Sequence, residues 1–436
     1  IVAAGVTLIY STLGGLTGVL LTDLFQFGMA MVGSVAAAIY VLGLPEVDGL
    51  GRLLSHPNVQ MRMDFLPSPE TMGWEVLIPV FIIPLAVQWW AAYYPGAEPG
   101  GGGYIVQRML SAKDEKHSVL ATLLFNAAHY ALRPWPWIIV ALGSLVVFPD
   151  LASIHERFPH LPEHVVRNDL AYPAMLTFLP AGLLGLVVTS LAAAYMSTMS
   201  TQVNWGSSIV VSDVYRRFIR PDASENQLVW VGRLATVVLM VTACALALVL
   251  ENALQMFEIL LQIGAGTGLL LLLRWFWWRI NAIAEIVAMI VSFLVAIYFQ
   301  FVGGEGLESW QRLFIGVGFT TVSWIIATLF SRPTAEHVLR SFYRKIQPGG
   351  RGWRRVLERA RREGEELSDG TPTRLPEGLA AAALGTVGIY TILFATGFFI
   401  YGMVMKGLVC TVIAAGAGIG LIKLWPRLTA PVGTNA

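Results

Sequence analysis

A hydroxyl-rich stretch inside a long apolar run is the part of this sequence with the clearest chemistry. Residues 190–208 read SLAAAYMSTMSTQVNWGSS and contain seven serine and threonine residues. On a helix, residues three, four and seven positions apart share a face. One such face carries Ala194, Ser197, Thr198 and Thr201. Hydroxyls on this face either join neighbouring helices by hydrogen bonds or supply oxygen ligands to a hard cation such as sodium, together with backbone carbonyls of a broken helix.

A carboxylate in a second apolar run supports the cation alternative. Residues 9–28 read IYSTLGGLTGVLLTDLFQFG, in which Gly14 and Gly15 separate two apolar runs and Asp23 lies in the second. An acidic residue within a membrane span is costly and is a functional hypothesis by default. Asp23 is either hydrated near the membrane surface or paired with a cation bound at the serines of 190–208. We favour the second interpretation.

The composition places these residues in a membrane protein. Hydrophobic residues make up 56% of the chain and charged residues 13%, compared with roughly 25% charged residues in an ordinary soluble domain. A bilayer core requires roughly 20 apolar residues per helix. The chain begins at Ile1 inside an apolar run, so we expect a fragment lacking its N-terminal part. We predict a partial span at 1–13 and full spans near 17–44, 74–94, 118–148, 173–211, 228–250, 253–273, 282–302, 311–331, 379–402 and 404–425.

Lysine and arginine predict the orientation of these spans. Alternate connections are rich in basic residues, and such connections face the cytoplasm. This assigns the loop 332–377 to the cytoplasm and the loops 45–73 and 149–172 to the outside of a multi-pass protein in the inner or plasma membrane. The basic loop is interpreted as a connector with a short amphipathic helix, which rests on anionic lipid or serves regulation.

A glycine-rich stretch could bind a solute. Residues 88–108 read QWWAAYYPGAEPGGGGYIVQR, and their prolines and four successive glycines cannot continue a helix. The stretch is either an exposed loop or the wall of a cavity, since irregular backbone is tolerated at membrane depth where it lines one. Candidate solute contacts in it are Trp90, Tyr93, Tyr94 and Glu98.

Polar residues in two later spans extend the candidate solute site. Asn126, His129 and Arg133 fall on one helical stripe. His129 alone would more often be a core histidine, but three polar groups on a membrane helix suggest a cavity lining. Arg133 then pairs with Glu98 or Glu258, or binds an anionic solute such as a carboxylate.

Glu258 is four residues before Gln262, so the two side chains share a face. They precede Gly264, Gly266 and Gly268, which loosen the helix and allow close packing or movement. We therefore include Glu258 and Gln262 among the candidate solute contacts.

Three separated segments resemble a known family. The segments YSTLGGLTGVLLTDLFQ, YIVQRMLSAKD and LAAAYMSTMSTQVNWGSSIVVSDVYRRF resemble signature segments of the sodium:solute symporter family, which includes transporters of sugars, proline, pantothenate, iodide and sialic acid. The resemblance covers about residues 1–330. It implies the LeuT-type inverted-repeat fold, with ten core helices and with substrate and sodium near the membrane midplane.

The resemblance also implies roles for individual residues. The Ala194 carbonyl, Ser197 and Thr198 match the main sodium site. Positions around a second sodium site, which only some members use, match Asp23, Ser197, Thr198, Ser200 and Thr201. The family's broken first core helix would lie upstream of Ile1, so we expect a fold incomplete at the N-terminus. The expected organisation is a partial transporter core at 1–302, an additional membrane helix at 303–331, the cytoplasmic loop at 332–377 and two C-terminal membrane helices at 378–426.

The function predicted from these features is symport of a small polar solute with sodium ions into the cytoplasm. The alternative is a transporter-like membrane sensor without net transport. A membrane enzyme using His129 and Glu98 has no supporting motif, since HExxH, GxSxG and dinucleotide fingerprints are absent from the sequence. The expected partners are sodium, the solute and the lipid bilayer. Neither nucleic acid nor an oligomer is required.

Overall fold

The protein is built of helices in every part that the structure describes. The structure, a computed structural model, describes residues 2–63, 69–86, 103–248, 262–304, 306–348, 350–367 and 375–429. Within these ranges the regular elements are all helical, and eight helices are long and apolar enough to cross a membrane. The prediction of an all-α polytopic membrane protein is thus confirmed. The eight candidate spans are Leu16–Leu42, Glu115–Val147, Ala181–Ile219, Glu225–Ala247, Ala282–Gln300, Ser309–Phe330, Leu375–Ile400 and Val404–Leu428.

Long and short α-helices alternate along the described ranges. In chain order they are α1 (Val2–Leu42), α2 (Gly49–Ser55), α3 (Pro57–Gln60), α4 (Pro69–Met72), α5 (Trp74–Leu77), α6 (Ile83–Ala86), α7 (Gly103–Leu110), α8 (Glu115–Asn126), α9 (Pro134–Val147), α10 (Leu151–Arg157), α11 (Ala171–Leu176), α12 (Ala181–Ile209), α13 (Glu225–Ala247), α14 (Thr267–Leu273), α15 (Ala282–Phe301), α16 (Ser309–Phe330), α17 (Glu336–Ile346), α18 (Arg354–Arg362), α19 (Leu375–Ile400) and α20 (Val404–Thr429). Wider π-helical turns lie at Ile78–Ile82, Ala127–Leu132 and Val210–Ile219, and 3₁₀ turns lie at Glu163–Val165, Asn168–Leu170 and Arg351–Trp353.

Helix α1 runs without interruption for 41 residues. The sequence predicted two spans in this region, 1–13 and 17–44, divided by Gly14 and Gly15. The predicted break in the helix is wrong, whereas the candidate span Leu16–Leu42 agrees with 17–44. Glycine lowers helix stability by about 1 kcal/mol relative to alanine, but it keeps the backbone N–H that proline lacks, so the helix can continue through both glycines.

Helix α12 begins later than its sequence predicted. The apolar run 173–211 was expected to cross the membrane as one overlong span. In the structure α11 ends at Leu176, a turn follows, and α12 starts after Pro180, where a proline fits the first turn of a helix. The α-helix then passes into the π-helical turns, which end at Ile219.

The chain divides into two compact units. The first consists of Ile1–Phe65, Val119–Ala247 and Gly385–Gly418, and the second of Leu66–Ser118, Leu248–Leu384 and Ile419–Ala436.

In the first unit α1 packs most extensively against α12, and the two helices are antiparallel. Near one end Ala4 contacts the cluster of Val203 and Met240. Further along, a methyl group placed on Gly33 would lie 3.1 Å from the Ser190 hydroxyl oxygen. The small residues at this crossing allow the two backbones to approach closely.

In the second unit a glycine break separates Gln262 from α14. Gly266 adopts a φ of 83°, a conformation that side chains with a Cβ rarely tolerate. An added methyl group would also lie 2.6 Å from Cβ of Thr320 on α16. The expected loosening of the helix by its glycines therefore takes the form of a tight turn against α16.

The basic segment 336–367 has a small apolar core of its own. Its buried side chains are Leu339, Tyr343, Trp353, Val356, Ala360 and Leu367. The Trp353 indole N–H donates to the carbonyl of Trp275 at 2.9 Å, and a methyl group on Gly352 would overlap the carbonyl oxygen of Phe276. These contacts hold the segment against the connection between α14 and α15.

Arg340 joins the two helices of this segment. Its guanidinium lies 2.6 Å from a carboxylate oxygen of Glu363, 2.7 Å from one of Glu365 and 3.4 Å from one of Glu336. The hydrogen bond from Arg340 lowers the pKa of Glu363 below its usual 4.5. This pairing stabilises the segment at neutral pH, and the stabilisation is lost as the pH falls from about 4.5 through the lowered pKa.

Gly33→Leu should destabilise the first unit. The larger side chain forces α1 away from Ser190, and overpacking of this kind costs about 1–3 kcal/mol. We expect the melting temperature in detergent to fall by several degrees. Gly28→Leu is the matched control, because Gly28 lies on the same helix with open space around its Cα. Equal losses from both substitutions would contradict the packing described.

Arg340→Met should loosen the segment 336–367. Without the guanidinium, the carboxylates of Glu336, Glu363 and Glu365 lose their common partner and keep only the more exposed Arg344 and Arg359. Hydrogen–deuterium exchange of α17 and α18 should become faster at pH 7, and in the unsubstituted protein it should become faster only below about pH 4.5, after correction for intrinsic rates. The control is Arg361→Met, which removes an exposed arginine from α18. Unchanged exchange in Arg340→Met would show that the ion pairs do not hold the segment.

Candidate cation and solute site

A hydrogen bond across α1 and α12 joins two of the predicted cation ligands. The Ser197 hydroxyl donates to Oδ1 of Asp23 at 2.6 Å, although 174 residues separate the two in sequence. Both residues are half-buried. Hydrogen bonds from hydroxyls to carboxylates are short and strong. The carboxylate and the hydroxyl-rich stretch, predicted separately, thus lie together.

The neighbouring hydroxyls direct their protons to the helix backbone. Thr198 donates to the carbonyl of Ala194 at 3.1 Å, and Ser200 donates to the carbonyl of Ser197 at 3.0 Å. A hydroxyl that donates its one proton keeps two lone pairs on its oxygen. These oxygens can therefore ligate a cation without breaking the bonds that orient them.

The ligands predicted for the main and for the second sodium position have Ser197 and Thr198 in common. On α12, Ala194 and Thr198 are exposed, Ser197 is half-buried, and Ser200 and Thr201 are buried. Ser197 contacts Asp23. In the part of the chain that the structure describes, His, Cys, Asp and Glu nowhere form a group of three able to hold a metal ion. Cation binding at this site would rest on hydroxyl and carbonyl oxygens with one carboxylate, which is a set suited to hard cations.

Gln26 is a polar residue near this site that the sequence reasoning missed. Its side chain is 8% exposed, and its Oε1 atom has no hydrogen-bond partner among the described residues. It follows Asp23 by three positions and so lies on the same side of α1. That spacing was the available signal, but an uncharged amide stands out less against an apolar sequence than a carboxylate does.

The predicted stripe of Asn126, His129 and Arg133 passes through a π-helical turn. The N–H of Arg133 bonds the carbonyl of Ala128, five residues earlier, because Pro134 cannot continue the α-helical pattern. The three-and-four spacing that grouped these residues does not apply through the wider turn. All three are half-buried nevertheless.

Aromatic rings surround the polar groups of this turn. His129 stacks on Phe125 with ring centroids 5.0 Å apart, and the Arg133 guanidinium lies 5.0 Å from the centre of the Trp137 ring. Asn126 donates to the carbonyl of Thr122. Nε of Arg133 is buried and has no hydrogen-bond partner within the described ranges. Among the candidate solute contacts, Arg133 is therefore the charged residue that most needs a hydrogen-bond acceptor.

Among the remaining candidates the structure describes Gln262, which lies just before the glycine break of the second unit. Gln262 is half-buried, and its Oε1 atom is unbonded among the residues described. It faces Gly316 of α16, where a methyl group would lie 3.2 Å from Oε1. The other predicted contacts lie outside the described residues: Trp90, Tyr93, Tyr94, Glu98 and Glu258.

Comparison with known proteins identifies relatives of this chain. It is 28% identical over 313 residues to the sodium/glucose cotransporter of Vibrio parahaemolyticus, an alignment that covers 67% of the chain and 55% of that protein. It is 28% identical to the mouse sodium/myo-inositol cotransporter, with 64% and 42% covered, and 25% identical to the sodium/proline symporter of Escherichia coli, with 78% and 63% covered. The chain thus spans about half the length of these relatives.

A solved structure and a family model agree with these relatives. A sodium-coupled sialic acid symporter in a substrate-bound, outward-open state matches with a TM-score of 0.56 and 24% identity, covering 76% of this chain and 66% of that protein. This likeness confirms the predicted LeuT-type fold. The model of the sodium:solute symporter family matches residues 1–292. Because this match covers more than half of the 436 residues, the chain belongs to the sodium:solute symporter family.

Proposed function

We propose that the full-length protein is a sodium-coupled symporter that moves a small polar solute into the cytoplasm by alternating access. The observation that carries this proposal is the hydrogen bond between Ser197 and Asp23 across α1 and α12. It puts a carboxylate beside a helix face of hydroxyl oxygens whose protons are already engaged. Such a cluster within a transporter fold is suited to binding sodium reversibly.

We infer two adjacent sodium positions from the two sets of predicted ligands. The main position uses the Ala194 carbonyl, Ser197 and Thr198. A second position, towards α1, uses Asp23, Ser197, Thr198, Ser200 and Thr201. Because Ser197 and Thr198 belong to both, an ion could pass from one position to the other during release, with Asp23 attracting it. Only some members of the family use the second position, so the proposal covers one or two ions per cycle.

The sodium gradient supplies enough free energy for concentration of a solute. One positive charge that crosses a membrane potential of 100 mV releases about 2.3 kcal/mol. A tenfold sodium ratio adds about 1.4 kcal/mol. One sodium ion per cycle can thus sustain a solute ratio of roughly several hundredfold.

The solute that we propose is polar and bears a carboxylate. Support comes from Arg133, whose guanidinium packs on Trp137 and whose Nε atom is buried without a partner among the described residues. Asn126 and His129, which lie with Arg133 in the first unit, would supply further polar contacts. Two of the similar proteins are named for proline and for sialic acid, and both of these solutes carry a carboxylate.

The orientation and organisation that we propose follow from the distribution of charge. The loop 332–377 faces the cytoplasm of a multi-pass protein in the inner or plasma membrane, because it is the connection richest in arginine. The core transporter region is 1–302, followed by a membrane helix at 303–331 and two more at 378–426.

Ser197→Ala should weaken sodium dependence of uptake. It removes one ligand from both positions and the donor to Asp23, so the sodium concentration for half-maximal uptake should rise about tenfold, as loss of one charge-assisted bond predicts. Ser208→Ala is the matched control, because Ser208 lies exposed on the same helix and donates to the Trp205 carbonyl of its own turn. Sodium dependence that is unchanged in Ser197→Ala would refute the site assignment.

Uptake into proteoliposomes of the full-length protein tests the proposed function itself. The panel contains sugars, amino acids and small carboxylates, with an inward sodium gradient or with potassium or choline in its place. We expect uptake of one class of solute, and this uptake should stop when sodium is replaced. If that class carries a carboxylate, uptake should also be lost in Arg133→Leu. Sodium-dependent solute binding without uptake would favour a sensor instead.

A further inference from the structure

The apolar face of helix α18, in the basic segment 336–367, is buried and is not available to lipid. The apolar residues of α18 include Val356 and Ala360, which are 2% and 0% exposed. They pack against Leu339 and Tyr343 of α17 and against Trp353. Since this face is covered by protein, any attraction of α18 to a membrane must come from its polar surface.

That surface contains a cleft rich in arginine. The cleft has a volume of about 450 Å³, within the range of about 300–1,000 Å³ typical of small-ligand sites. We call it the arginine cleft. Its lining includes Trp277, Trp278, Arg351, Arg354, Arg355 and Glu358.

The arginine cleft lies beside the ends of two candidate membrane spans. Trp277 and Trp278 precede by a few residues the candidate span that starts at Ala282. The neighbouring Arg279 donates to the carbonyls of Leu329 and Ser331, at the end of the span formed by α16. One wall of the cleft is thus fixed to the ends of two membrane helices. Tryptophans at such ends lie among lipid headgroups.

Two arginines of the cleft are available to an anion. Arg354 is paired with Glu358 at 2.6 Å, so the only carboxylate of the lining is already engaged. Arg351 and Arg355 are exposed and form no ion pair with any described residue. The Arg355 guanidinium lies 5.2 Å from the centre of the Trp278 ring, a contact that holds the charge towards the cleft.

We propose that the arginine cleft binds the phosphate of an anionic phospholipid headgroup, with Arg351 and Arg355 as its ligands. Guanidinium groups bind phosphate oxygens in pairs and with defined geometry. The tryptophans place the headgroup at the correct depth, and Gly352, whose backbone rests on that of Phe276, keeps the arginines against the membrane ends of α15 and α16. The bound lipid would attach the segment to the membrane surface.

Lipid titration of the purified full-length protein tests this proposal. Delipidated protein in neutral detergent is titrated with dioleoylphosphatidylglycerol, and native mass spectrometry counts the bound lipid. In the double variant Arg351→Gln/Arg355→Gln we expect the apparent Kd of the first bound lipid to rise about thirtyfold, as loss of two surface cations predicts. The charge-preserving variant Arg351→Lys/Arg355→Lys should recover only part of the affinity, because an ammonium group keeps the charge but not the paired bonds of a guanidinium. Because the readout is lipid binding, it is independent of whether the protein transports.

The matched control is Arg361→Gln/Arg362→Gln, which removes two exposed arginines of α18 that lie outside the cleft. Its affinity should stay close to that of the unsubstituted protein. Equal weakening in both double variants would show attraction by general surface charge and overturn the proposal. So would equal binding of dioleoylphosphatidylcholine, or full competition by inorganic phosphate, which would indicate a site for a free anion. Hydrogen–deuterium exchange of α17 verifies that each variant keeps the segment folded.

Discussion

A carboxylate placed between apolar helices is the constraint on which the first unit depends. An acidic side chain inside a membrane span is tolerated only with polar partners. Asp23 has such a partner in Ser197, and this bond requires α1 and α12 to pass within one side-chain length of each other. The close passage in turn requires small residues at the crossing, such as Gly33 and Ser190. The polar composition of 190–208 and the antiparallel packing of the two helices therefore have one physical origin.

The second unit is organised around fixed ends of helices. The turn at Gly266 is packed against Thr320, and Arg279 holds the carboxyl end of α16. The segment 336–367 adds a folded piece with its own core to these ends. Its helices α17 and α18 are too short to be stable alone, so their order comes from Trp353 and from the ion pairs of Arg340. The segment 336–367 resembles a basic linker in the sequence, but it is a small folded structure that packs against these helix ends.

Hydropathy was sufficient to predict most of the membrane helices, because long apolar runs have few alternatives in a bilayer. Local interruptions were harder to predict. Gly14 and Gly15 remain helical, whereas Pro134 produces a wider turn that upsets the spacing of His129 and Arg133. Whether a glycine breaks a helix depends on tertiary packing around it, and a one-dimensional pattern does not contain that packing.

The residues of the candidate site also differ in how well the sequence predicts them. Asp23 and the hydroxyls of α12 were identifiable because ionisable and hydroxyl groups stand out against an apolar background. Gln26 was missed, since a single neutral amide has no comparable signal until its burial is known. The apolar core of 336–367 was also missed, because its six residues are scattered among arginines and meet only in three dimensions.

The crossing of α1 and α12 also limits how this sequence can diverge. The side chains at positions 33 and 190 compete for the same space, so a larger residue at one position requires a smaller residue at the other. Gly266 differs, because its φ of 83° disfavours a larger residue whatever stands at position 320. Change at positions 33 and 190 must proceed by compensated double substitutions, while positions with open space around them, such as Gly28, can vary independently. Among descendants of this gene, correlated substitutions at positions 33 and 190 would therefore indicate the helix crossing better than the identity of either residue alone.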